Sequence, residues 1–138
     1  MMREVRKIII HCSATREGQH ISAATIDSWH KQRGWKGIGY HFVVGLDGIM
    51  EYGRSVEKVG AHTKGYNKSS IGVCYIGGVE KDGKTPKDTR TPEQKDSLIH
   101  LLSTLKRLHP NAIIHSHNNF AHKACPSFDA TEEYKDLK

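Results

Sequence analysis

The apolar run Ile8-Ile9-Ile10, entered from Val5 and left at His11, is the segment that most restricts what this chain can fold into. Successive side chains of a strand point to opposite faces, so three consecutive isoleucines put hydrocarbon on both faces at once. Such a strand belongs in the interior of a sheet that helices cover, and β-branched residues suit the position. Val5 to His11 is therefore expected to be the first strand and a central one.

The remaining punctuation builds a sheet around it. A helix should follow, with Ser22 as its N-cap, Ile21 and Ile26 as a hydrophobic staple, and Gly34 closing it. Ile26, Trp29 and the stem of Arg33 would form its inward stripe, which assigns Trp29 to the core. Tyr40 to Leu46 reads as a strand, and Asp47-Gly48 as the turn of a hairpin leading into Ile49-Met50-Glu51-Tyr52. Ser70 to Ile76 reads as a buried strand that Gly77-Gly78 breaks, and the aperiodic polar stretch Lys81 to Asp88 as a mobile loop. Thr91-Pro92-Glu93-Gln94 is a capping box opening a second helix, whose stripe Leu98, Leu101, Leu102, Leu105 and Leu108 packs on the sheet before Pro110. Ala112 to His115 is the last strand, followed by loop and a short charged tail. The order implies an α/β single domain over residues 1–138, a central mixed β-sheet flanked by helices.

Charge and cysteine content narrow the function classes. The net charge of +6 is spread along the chain without a dense basic cluster, so it reads as a solvated cationic surface and no specific nucleic-acid binding is expected; the weaker reading is long-range attraction to a polyanion, for which a bacterial cell wall qualifies as well as DNA. No membrane span is visible, and the apolar part of the first ten residues is too short for a signal-peptide core. Cytoplasmic synthesis is the expectation, with a reducing compartment for the odd set Cys12, Cys74 and Cys125. Cys74 sits in a buried strand and Cys12 should point away from His11, which leaves Cys125 as the reactive candidate.

Cys125 has histidine partners within reach. His11 ends the first strand, and His115, His117 and His122 lie shortly before the cysteine. Two imidazoles and one thiolate form a three-ligand set that leaves the fourth tetrahedral position of Zn2+ open, the arrangement of catalytic zinc. Ligands from strand ends and a following loop converge naturally above a sheet edge. The residues alone leave the choice among the three late histidines open.

Several ordered segments resemble a known family: Ile8 to Thr15, Trp29-His30-Lys31-Gln32-Arg33-Gly34-Trp35, Gly39-Tyr40-His41-Phe42, Gly60 to Asn67 and Lys123 to Asp129. Together they are similar to the zinc-dependent N-acetylmuramoyl-L-alanine amidases, most of all the phage-lysozyme type, with peptidoglycan recognition proteins as more distant relatives. The resemblance implies a Zn2+ cofactor held by His11, His117 and Cys125, catalytic roles for Tyr40 and Lys123, and a substrate-groove position for His62. It implies hydrolysis of the amide between N-acetylmuramic acid and L-alanine in peptidoglycan, by a monomer that reaches the wall during lysis or recycles wall fragments. Its alternatives are a non-catalytic peptidoglycan recognition module and regulatory binding to a protein partner such as an RNA polymerase. Two positions depart from the common pattern, Asn119 in place of an aspartate and His122 in place of a proline, and tuning of rate or metal affinity is expected from them.

Overall fold

A computed structural model of the chain describes residues 3–138; Met1 and Met2, which open the expected domain and the leader-like segment, lie outside the described residues. The isoleucine run is the middle of β1 (Lys7–Cys12), whose Ile8, Ile9 and Ile10 are fully buried. β1 is followed by the short β2 (Thr15–Arg16), α1 (Ala23–Gln32), β3 (Phe42–Val44), β4 (Met50–Tyr52), β5 (Ser70–Tyr75), β6 (Gly78–Val79), α2 (Pro92–Leu108), β7 (Ile113–Ser116) and α3 (Ala130–Glu133). The main sheet runs β4-β3-β5-β1-β7, with β4 antiparallel to β3 and the other pairs parallel. β1 is therefore flanked on both sides, Ile10 opposite Val73 of β5 and Ser116 of β7.

Each face has its own helix. On one face the stripe Leu98, Leu102 and Leu105 of α2 packs with Ile8, Ile10, Val44, Ile71, Val73 and Tyr75. On the other, Ala23 and Ile26 of α1 pack with Ile38, Val43 and Ile76, and Ile21 closes on this cluster as the staple requires. Both helices begin as their capping residues dictate. The Ser22 hydroxyl accepts from Thr25 N at 3.1 Å, and Thr91 and Gln94 form the reciprocal capping box. Gln94 also uses its amide to donate to Val44 O and Ile76 O, so the cap locks α2 onto the ends of two strands.

The structure corrects four expectations. The buried stripe of α1 is Ala23, Ile26 and His30, so Trp29 lies 38% exposed rather than in the core. Leu108, the last residue of the α2 stripe, is exposed at the rim of a groove shared with Phe42, Met50 and Tyr52 of β3 and β4. Gly77-Gly78 does not simply end β5: the chain turns with both glycines at positive φ and pairs β6 with β2 in a second, two-stranded sheet. Lys81 to Asp88 is tied down: Asp82 accepts from Lys84 N, Thr85 N and the Thr85 hydroxyl, Lys87 pairs with Glu17 at 2.9 Å, and Pro86 bridges Val79.

Candidate metal centre

β1 delivers His11 to the sheet's C-terminal edge, and β7 delivers the segment that carries His117. Beyond Ser116 the chain enters a single 3-10 turn, His117–Asn119, and then the loop holding Lys123 and Cys125. Because β7 lies beside β1, the two histidine rings meet with centroids 4.3 Å apart. Cys125 Sγ stands 3.9 Å from His11 Nδ1, and one donor atom from each of His11, His117 and Cys125 falls within 4.8 Å of the others. Of the three late histidines, His117 alone joins the cluster; His115 stacks on Phe120 and His122 is exposed.

The chemistry of these donors fits a zinc ion. Zinc–nitrogen and zinc–sulfur bond lengths imply a tetrahedron with edges of about 3.5 Å, close to the 3.9 Å between Cys125 Sγ and His11 Nδ1. His117 Nδ1 is buried without a hydrogen-bond partner among the described residues, which is costly for an imidazole nitrogen unless a ligand occupies it. Burial first, and then His62, His117 and Lys123, lowers the His11 pKa well below the usual histidine value; burial and Lys123 lower that of His117. Both rings are thus held in the neutral state that binds metal. The Cys125 thiol is pushed up by its hydrogen bonding with Cys12 and by burial, so a cation is what would draw its proton off. Cys12 N–H already donates to Cys125 Sγ at 3.2 Å, a contact that favours the thiolate once formed.

The cysteine loop is anchored at several points. Tyr75 OH donates to Pro126 O at 2.6 Å and Ser127 Oγ to Gly78 O at 2.7 Å. Phe128 is capped by the guanidinium of Arg90, 3.4 Å from the ring centroid. Arg90 is 2% exposed in its side chain and places all five N–H donors, on Asp88, Glu133 and Tyr134. No sequence signal singled out Arg90, because its partners lie in a loop and in α3, an element the charged tail did not announce.

The other expected site residues surround the cluster. Tyr40, half-buried, packs its ring 5.0 Å from His11, and burial raises its phenol well above the ordinary value. Lys123 is exposed, and its charge contributes to the lowered pKa of both histidines. His62 lies against His11, its Nδ1 2.9 Å from His11 Nε2. Asn119 turns away from the cluster: its side-chain oxygen accepts from the Thr131 hydroxyl, linking the 3-10 turn to α3.

The chain is similar to known proteins over most of its length. The endolysin of Escherichia phage T7 is 47% identical over 122 residues, spanning 88% of this chain and 80% of its own. The endolysin of Enterobacteria phage K11 is 42% identical over 127 residues, spanning 92% and 83%. Among solved structures, the endolysin amidase LysCS of Clostridium intestinale superposes with a TM-score of 0.82 at 31% identity, covering 96% of this chain and 82% of that one. The family model for N-acetylmuramoyl-L-alanine amidase matches residues 1–128, and the chain belongs to that family.

Proposed function

We propose that this chain is a zinc-dependent peptidoglycan amidase that hydrolyses the bond between N-acetylmuramic acid and L-alanine, within a single domain over residues 1–138. Amidase activity follows from its family; the metal and the residue roles rest on the site. The observation that carries them is the convergence of His11, His117 and Cys125, three ligands with a fourth direction left for water or substrate. When bound, zinc supplies a hydroxide nucleophile near neutral pH and polarises the scissile carbonyl.

The chain's own groups then have definable work. Tyr40 keeps its proton because burial disfavours the phenolate. It therefore acts as a hydrogen-bond donor, to the carbonyl oxygen as that oxygen gains charge, rather than as a base. Lys123, two residues before Cys125 and at the exposed rim, supplies a fixed cation on the same side. Neutral His11 and His117 hold the metal without adding charge, so Cys125 is the one anionic ligand.

Incubation of purified protein with peptidoglycan should release new L-alanine amino termini, chelator should abolish the release, and added zinc should restore it. Full activity in metal-free protein would refute the proposal.

A further inference from the structure

We infer that His62 is a positioning residue for the metal centre, accepting a hydrogen bond from His11 Nε2 and thereby fixing the tautomer and ring orientation that present His11 Nδ1 to Zn2+. The inference rests on the zinc reading of the site and extends it to a group that touches no metal.

The hydrogen-bond inventory leads to this assignment. His11 turns Nδ1 toward Cys125, at 3.9 Å, and Nε2 toward His62 Nδ1, at 2.9 Å, and Thr63 Oγ1, at 3.3 Å. A metal-binding imidazole nitrogen carries no hydrogen, so the other nitrogen must carry it. His11 Nε2–H is then the donor, and His62 Nδ1, which also lies 2.9 Å from Thr63 Oγ1, the acceptor. That places the His62 proton on Nε2, from which it donates to the Ser70 hydroxyl at 3.2 Å. The chain His11 to His62 to Ser70 has one consistent direction. Both ring nitrogens of His62 are engaged by protein groups.

The surroundings are shaped to hold this ring. A Cβ on Gly72 would stand 2.6 Å from His62 Cδ2 and one on Gly60 2.7 Å from it, so the imidazole lies on bare backbone. Asn67 Oδ1 accepts from both His62 N and Thr63 N, at 2.9 and 2.8 Å, which pins the loop above β5. His62 meets the His11 ring edge-on, at 87° and 4.8 Å. Metal-ligating histidines commonly give their second N–H to a carboxylate, carbonyl or water. A neutral imidazole here does the same without adding negative charge, so the ligand set with Zn2+ keeps a net charge of about +1, since Cys125 alone is anionic.

The test compares zinc affinity, by competition with a chromophoric chelator, and steady-state kinetics on peptidoglycan for wild type, His62→Leu and His62→Asn. Loss of an orienting partner of this kind weakens metal binding about 10- to 100-fold. His62→Leu should show that loss, with KM unchanged at saturating zinc, and His62→Asn, whose Oδ1 can stand in for Nδ1, should recover most of the affinity. Unchanged zinc affinity in His62→Leu, or a raised KM at unchanged zinc affinity, would overturn the inference. Should His62→Leu fail to fold, Gly72→Ala serves: it displaces the ring from its floor and should weaken zinc several-fold, and full affinity in that variant overturns the inference too. Wild-type protein that binds no zinc would overturn the underlying metal reading along with it.

Discussion

At the scale of single residues, the proposed site separates groups that would hold a metal from groups that would use it. Cys125→Ser removes the proposed anionic ligand, and zinc content should fall below one ion per chain together with activity, as metal analysis of the purified variant would show. Tyr40→Phe keeps the ring against His11 and deletes only the hydroxyl. Loss of one donor to a developing oxyanion costs about 10²–10³ in kcat, so this variant should retain zinc and lose turnover by that factor. These residues were legible to different degrees. His11 and Cys125 stood out by residue type and setting, whereas His117 could be told from His115 and His122 only by resemblance. Their separation depends on a 3-10 turn after β7 that no periodicity announces. The contact between His62 and His11 was not legible, since the two lie 51 residues apart and a hydrogen bond across that separation leaves no local pattern.

Among the elements, the strong capping signals survived best. Thr91, Pro92 and Gln94 start α2 as written, because a cap is decided by four adjacent residues. Trp29 misled because the spacing 26, 29, 33 is as helical as 23, 26, 30, and the two are separated only by which side the sheet lies on. The two-residue strands β2 and β6 are too short to carry alternation at all. α3 matters more than its length suggests, since Glu133 and Tyr134 complete the cage around Arg90 and so tether Phe128, three residues beyond Cys125. Arg90→Met would leave Asp88 and Glu133 facing each other without their counter-ion. Breaking a buried pair costs 3–5 kcal/mol, and the partial exposure of both carboxylates puts the expected loss near the lower end, about 3 kcal/mol by urea unfolding. Leu98→Ala, in the middle of the α2 stripe, should cost a similar amount, about 2–5 kcal/mol in the same assay.

For the molecule as a whole, acidity is the sensitive variable. His41 is fully buried, with Nε2 facing Lys58 O and the Arg3 guanidinium and Nδ1 accepting from Gly72 N. Desolvation lowers its pKa to about 4. Between that value and the ordinary 6.5 the unfolded chain binds a proton at this residue and the folded chain does not, so stability falls as pH falls. His41 alone should contribute a slope of about 1.4 kcal/mol per pH unit across that window. His11, His62 and His117, whose pKa values are also lowered, add slope of the same sign in metal-free protein, so in urea titrations from pH 7 to 4.5 His41→Gln should reduce the slope by about that amount. Charge repulsion adds to the trend, since the chain is already cationic at neutral pH. No helix of the described residues is long and apolar enough to cross a membrane.

The distance along the chain between His11 and Cys125, 114 residues, has a topological meaning. A metal clasped by both turns most of the polypeptide into a closed ring, and cross-linking a loop of that size removes about 4–5 kcal/mol of conformational freedom from the unfolded ensemble. A ribosome that stops short of the cysteine loop, or a protease that nicks and releases either end, would leave half of the proposed clasp, so zinc-dependent chemistry would begin only when Cys125 has been made and folded back onto the first strand.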